Sequence, residues 1–231
     1  MRYQNAIPAT FLRRPNRFVA EVLVDGEKET VHVKNTGRCR ELLVPGARVY
    51  LCRSDALTRK TRYDLIAVDK AREGKPPLLI NMDAQAPNAV AEEWLLAGGL
   101  FPAGATVRRE VRYGNSRFDF YLEYGTRRAF VEVKGVTLEQ DGVVRFPDAP
   151  TERGVKHVGE LCACLGEGYE AYLLFVVQMS EAARFEPNDG THKAFGDAVR
   201  EAARRGVGVL AMDCAVTPNT MVLRAPVPVS L

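Results

Sequence analysis

The sequence predicts a chain of α/β class in two parts: a small β-barrel over residues 1–82, then a mixed-sheet α/β domain over residues 83–231. Three observations predict it. The first part alternates short apolar runs with turn residues and holds no long helical pattern. The second interleaves helical and strand patterns, including two nearly all-apolar runs that suit strands buried on both faces. Charge divides at the same place, with 16 Lys and Arg against 9 Asp and Glu in residues 1–82 (net +7) and 16 against 20 beyond (net −4). Uneven charge is common on solvated surfaces, but a basic front part also suits a polyanion.

Bulk properties set the outer limits. At 231 residues, 46% hydrophobic and 26% charged, the chain can bury a full core. No window approaches the ~18 consecutive apolar residues of a membrane helix. The opening MRYQNAIPATFLRR lacks the apolar core of a secretory signal, so a cytoplasmic location without a membrane partner is expected. Cys39, Cys52, Cys162, Cys164 and Cys214 form no CxxC pair, and His32, His157 and His192 are scattered. Neither a disulfide framework nor a zinc site is signalled.

In the front part, RFVAEVLV and KETVHVK flank Asp25-Gly26, a hairpin turn signal. ARVYLCR, YDLIAVDKA and PPLLINM add three more runs. About five short strands in so short a stretch suggest an OB-like barrel. In the second part, PNAVAEEWLLAGG reads as a helix with Asn88 as N-cap. Strands follow at TVRREVRYG, SRFDFYLE and RRAFVEVKG. TERGVKHVGELCACLGEG reads as a helix capped by Thr151, its first turn weakened by Gly154. EAYLLFVVQM is a buried strand, THKAFGDAVREAARRGV an amphipathic helix and GVGVLAMDC a last strand. The LCACL stretch reads as core packing, which argues against Cys162 as a nucleophile.

Within this pattern Asp119 stands between Phe118 and Phe120, and Glu132 between Val131 and Val133. A two-residue loop at Gly125-Thr126, with glycine where a type II′ turn needs it, pairs Tyr124 with Arg127 and sets Asp119 opposite Glu132. Lys134 shares the face of Glu132. Facing carboxylates repel unless a cation lies between them. Mg²⁺ takes one or two carboxylates and keeps waters that a phosphate can replace, while a nearby lysine can orient water and offset transition-state charge. The same residues also read as a surface aspartate beside a solvated Glu–Lys pair. Further on, Arg153, Lys156, His157 and Glu160 lie along one helical stripe, suited to a scissile phosphate or to an exposed helix face. Glu110 reads equally as another acid near this place or as a partner for Arg117.

The acid followed by ExK on the next strand, after a glutamate-bearing helix, is similar to the PD-(D/E)xK nuclease core. Along its whole length the chain resembles the sugar fermentation stimulation protein A family, in NRFVAEV, HVKNTGR, LLVPGARV, REVRYGNSRFDF, VEVKGVTL, RFPDAPTERGVKH and FVVQM. The resemblance implies an OB-like domain on a nuclease-like domain, with DNA as partner. It implies Asp119, Glu132 and Lys134 as the core triad, with Lys156 and His157 beside it. Asp119, Glu132 and the Val133 carbonyl would hold Mg²⁺ or Mn²⁺. The helical glutamate falls at Glu93, in preference to Glu92. After Asn88 the family tends to carry a basic residue where this chain has Ala89. The family is known mainly for DNA binding linked to sugar utilisation, so a non-catalytic DNA-binding regulator is the alternative reading. The same chemistry admits RNA, and a homodimer would suit a two-stranded substrate.

The front part offers Arg14 and Arg17 in RRPNR, Lys34, Arg38 and Arg40, then Arg53, Arg59, Lys60 and Arg62. Asn35-Thr36-Gly37-Arg38 is a compact polar turn. With Arg117, Arg153 and Lys156 of the second part, Arg14, Arg17, Lys34 and Arg38 are the expected nucleic-acid contacts, dominated by phosphate and sensitive to salt. Phe11, Phe18 and Tyr50 read as core.

Overall fold

A computed structural model of the protein describes residues 1–35, 37–54 and 60–231. Thr36 and Arg59, two of the positions named above, lie outside the described residues. The front part consists of β1 (Ile7–Asn16), β2 (Val19–Val24), β3 (Glu27–Val33), β4 (Arg48–Arg53), β5 (Tyr63–Arg72) and β6 (Lys75–Asn81). The β2–β3 turn is Asp25-Gly26, both at positive φ (50° and 86°), as a type I′ hairpin demands. The strands run in the order β3-β2-β1-β4-β5-β6, and a parallel pairing of β3 with β5 closes the first five into a barrel. This is the OB-type barrel that the turn spacing predicts. β1 is an addition to the strands that the sequence predicts, because Pro8, Pro15 and the arginines obscure the alternation of Ala9 and Phe11, both buried.

The second part opens with α1 (Ala86–Leu96), followed by β7 (Thr106–Tyr113), β8 (Ser116–Tyr124) and β9 (Arg127–Val136). Three short strands, β10 (Leu138–Gln140), β11 (Val143–Phe146) and β13 (Arg184–Pro187), form a small separate sheet. Between them come α2 (Glu152–Leu165) and β12 (Glu170–Val177), and after them α3 (Asp189–Arg204), β14 (Gly208–Thr217) and β15 (Thr220–Pro226). The large mixed sheet has the order β15-β14-β12-β9-β8-β7, parallel across β9, β12 and β14 and antiparallel outward. β10, β11, β13 and β15 escaped the sequence reading. The first three are too short to show a period.

Pro87 sits in the first turn of α1, which begins after Gln85. Proline suits that position, so Asn88 is inside the helix and is not its N-cap. Thr151 does cap α2, accepting a hydrogen bond from the Gly154 N–H at 3.0 Å. Gly154 is needed there, since a Cβ would lie 2.9 Å from the Thr151 side chain and 3.2 Å from Phe195.

α1 covers one face of the large sheet, packing Val90 and Leu95 with Phe120, Leu122, Val131, Val133 and Leu174. α2 and α3 cover the other with Val158, Leu161, Phe195 and Val199 against Leu173 and Phe175. That second core continues into the barrel interior at Phe11, Val22, Leu51 and Ile80. Polar ties reinforce the join: Asn81 N–H donates to the Gln178 carbonyl at 2.9 Å, Lys34 pairs with buried Asp83 at 2.7 Å, and Lys70 pairs with Glu139 at 2.5 Å. The chain start also crosses over, as Tyr3 N–H donates to the Asn219 carbonyl at 2.7 Å. Among the described residues no helix is long and apolar enough to cross a membrane.

Candidate active site and basic cleft

The hairpin between β8 and β9 turns at Gly125, whose φ of 58° fits the first central position of a type II′ turn. Its ladder runs from Tyr124–Arg127 to Phe120–Val131. Asp119 and Glu132 stand at the next step, where the expected face-to-face pair is not formed. Instead the Asp119 carboxylate occupies the gap beyond the ladder, accepting from Val133 N–H through Oδ2 and from Asn88 Nδ2 through Oδ1, both at 2.8 Å. It takes the place of the missing strand partner.

The cause lies one strand further out. The β7–β8 register places Glu110 beside Asp119, between the pairs Arg109–Phe120 and Val111–Phe118, but Glu110 has φ 53°. A left-handed residue inside a strand turns the pleat over. Accordingly Val107, Phe120 and Leu122 pack on the α1 side, whereas Val111, Tyr113 and Phe118 pack on the other. Glu110 itself points away and pairs with Arg117 at 3.3 Å, which settles its two readings in favour of the Arg117 partner.

Glu132 faces α2 and is only 3% exposed. Its Oε1 accepts from Lys134 Nζ and lies 2.5 Å from His157 Nδ1. Its Oε2 is buried without a hydrogen-bond partner among the described residues. Arg153 Nε donates to His157 Nε2 at 3.3 Å, which leaves the ring proton on Nδ1, aimed at Glu132. The helical stripe therefore does converge on the triad, through His157. Burial pushes the Glu132 carboxyl up, but the His157 hydrogen bond and the Lys134 charge outweigh it and hold it below the ordinary value. For Asp119 burial, then the neighbouring Glu132 charge, win over the Val133 N–H, Lys134 and Asn88, and its carboxyl is raised.

These donors fit a hard divalent cation. Glu132 Oε2 is an orphaned anionic acceptor among the described residues, the Asp119 carboxyl is raised by burial and by the Glu132 charge, and the Val133 carbonyl points to the same gap as its N–H. No group of three or more His, Cys, Asp or Glu among the described residues is arranged to hold a metal. A cation here would rest on two carboxylates, one carbonyl and water, the habit of Mg²⁺.

Beside the triad opens a cleft of about 400 Å³ lined by Arg112, Asn115, Ser116, Arg117, Arg153, Lys156 and His157. Lys156 is exposed and donates to the Asn115 carbonyl at 3.3 Å. Four of the seven residues are Arg or Lys, so the cleft is built for an anion.

Other expected contacts are placed differently. Glu93 is not at the triad: its Oε2 pairs with the Met1 amino group at 2.7 Å, and its side chain is 56% exposed. Five residues from Asn88, it is turned well away on the helix, whereas Glu92, at four, shares the Asn88 stripe and meets Arg109 at 3.2 Å. Asn88 is the α1 residue that reaches the site, and sequence reading spent it on a cap. Arg14 is not a free phosphate ligand, since its guanidinium donates to the carbonyls of Arg17, Asn35, Gly37 and Arg38 at 2.6–3.0 Å. Lys34 is taken up by Asp83. Arg17 and Arg38 remain exposed on the barrel.

Comparison with known proteins agrees with this architecture. Residues 12–75 match the model of the SfsA N-terminal OB domain, and residues 85–220 that of the sugar fermentation stimulation protein RE domain. The chain is 50% identical to a sugar fermentation stimulation protein homolog of Clostridium beijerinckii, over 100% of both chains. It is 54% identical to one of Desulfitobacterium hafniense, over 96% of this chain and 94% of that one. The solved structure of Pyrococcus furiosus SfsA in complex with Ca²⁺ superposes with a TM-score of 0.85 at 27% identity, covering 100% of this chain and 98% of that one. On these matches the chain belongs to the sugar fermentation stimulation protein family.

Proposed function

We propose that the protein binds DNA and hydrolyses its phosphodiester bonds with the help of Mg²⁺ or Mn²⁺, on a C-terminal domain of PD-(D/E)xK nuclease type. One observation carries the reading: a buried glutamate with one oxygen unpartnered, an aspartate beside it and a lysine bound to it adjoin a cleft ringed by arginine and lysine. Asp119, Glu132 and the Val133 carbonyl would hold the cation, which when bound supplies Lewis-acid polarisation of the scissile phosphate. Lys134 orients the attacking water and offsets the charge that grows on the phosphate. His157 fixes the Glu132 carboxylate, and Arg153 fixes His157. Arg117 and Lys156 hold flanking phosphates. A relative solved with Ca²⁺, an oxygen-seeking cation like Mg²⁺, supports the choice of metal.

A second reading rests on Asp119, whose two oxygens are both engaged by protein donors. In that reading the acids are a structural clasp and the protein only binds DNA.

The test compares wild type with Lys134→Ala on end-labelled single-stranded, duplex and branched DNA, in Mg²⁺, Mn²⁺ and EDTA. Binding is read on the same samples across a salt series. Cleavage should need metal and fall by roughly 10²–10⁴-fold in the variant, a general-base-sized loss. Binding should persist, with a log–log salt slope of about −3 to −4 if about four phosphates are held. Binding without cleavage in either protein would leave the clasp as the account.

A further inference from the structure

The barrel carries a feature that the triad does not use. Between β1 and β2 the chain reverses through Arg17-Phe18, and Asn16 Oδ1 accepts from the N–H groups of Phe18 and Val19 at 2.8 and 3.2 Å. Phe18 is 47% exposed, although its residue type reads as core. The Arg17 guanidinium lies 4.8 Å over its ring, and the side chain stays open to solvent despite that contact. Arg38 and Arg40 are exposed close by in sequence to the adjoining loop, whereas Arg13 is spent on Glu21 at 2.6 Å.

A short set of contacts ties this tip to the segment that leads into α2. Arg14 spans the carbonyls of Arg17 and Arg38, at 2.7 and 3.0 Å, so the two loops sit within one guanidinium of each other. Arg38 N–H donates to Asp148 Oδ2 at 3.1 Å, and a Cβ on Gly37 would lie 2.4 Å from the same oxygen. Asp148 leads into α2 with its Arg153 and His157, and it shares a small cavity with Asn35 and Gly135, the residue after Lys134.

We infer that Phe18 is a stacking platform for an unpaired base, and that the strand the site receives is single-stranded DNA. An aromatic face flanked by arginines is the device by which proteins hold single strands, the bases stacking and the phosphates meeting the cations. In a duplex the base faces are already stacked on one another, so the platform has nothing to offer it. The inference rests on the proposed site for its position, but it is tested without cleavage.

The experiment measures binding of the full chain in EDTA to fluorescein-labelled oligo-dT and to a duplex of equal length. Wild type should prefer the strand. Phe18→Ala and Phe18→Leu should each weaken strand binding by roughly 5- to 150-fold, the range of losing one stacked base, so that the preference for strand over duplex collapses. Phe18→Trp should keep the preference, and its indole fluorescence, corrected for Trp94 with wild type, should be quenched by the strand and not by the duplex. If Phe18→Ala and Phe18→Leu shift strand and duplex equally or not at all, or if the Phe18→Trp indole is blind to the strand, the platform is overturned. Neither result bears on whether Lys134 is needed for cleavage.

Discussion

Glu132 is held on one oxygen by the Lys134 ammonium and the His157 ring N–H, and on the other by no partner among the described residues. Buried acceptors are normally satisfied, so this asymmetry separates a ligand-ready carboxylate from an ordinary ion pair. The residue types were legible in the sequence, because a charged residue inside an apolar strand run has few structural uses. What the sequence did not show is which helix residue joins them. Asn88 reads as a cap because asparagine favours caps, yet Pro87 had already started the helix. Glu93 attracts attention as the acid of α1, but it faces Met1. Position on a helix, counted from the true first turn, decides between them. The basic residues of the barrel show the same limit: Arg14 and Arg17 are equivalent by type, and only the loop carbonyls reveal that Arg14 is an internal brace.

At the scale of elements, the hairpin register was legible to within its last step, since Gly125 fixes the loop and the loop fixes every pair behind it. The exchange of faces at Glu110 and Asp119 was not. A left-handed residue in a strand is usually announced by glycine, and here glutamate takes that conformation. The loop after β3 makes the converse point. Gly37 sits where a Cβ would meet Asp148 Oδ2 at 2.4 Å, so the glycine is there for a close approach across the two parts. Gly37→Ala should lower stability by about 1 kcal/mol, the low end of an overpacking defect, because the crowding atoms are the tips of the Asp148 and Asn35 side chains. Adding Asp148→Ala should cost less than the sum of the two single changes, because both act on one contact. Urea unfolding of the two single variants and the double variant measures this, and strictly additive losses would show that the contact is not what Gly37 serves.

At the scale of the whole molecule, the shift in strand texture and charge near residue 82 suggests two parts, but says nothing of how firmly they meet. The barrel core is continuous with the core under α2 and α3, and partly buried ion pairs brace the seam. Glu139 is one of them. Burial pushes its carboxyl up, but the Lys70 hydrogen bond, the Gly142 N–H and the Lys70 charge bring it below its ordinary value of 4.5. A carboxyl lowered by folding gives stability that is whole above that ordinary value and is lost as pH falls through the folded one. Glu139→Gln should therefore unfold at lower urea than wild type at neutral pH and close the gap on acidification, and a gap constant with pH would remove the pair from the account. The seam also ties the barrel loop to the segment that leads into α2, through Arg38 N–H and Asp148. The central claim about the site is that Asp119 and Glu132 together hold a divalent cation, and a Mn²⁺ titration followed by the electron paramagnetic resonance of free Mn²⁺ tests it most directly. Wild type should take up about one Mn²⁺ per chain, as expected for a carboxylate pair completed by water, and Asp119→Asn and Glu132→Gln should each abolish that uptake while Arg153→Ala retains it. Uptake by neither wild type nor variants, or equal uptake by all of them, would contradict the claim.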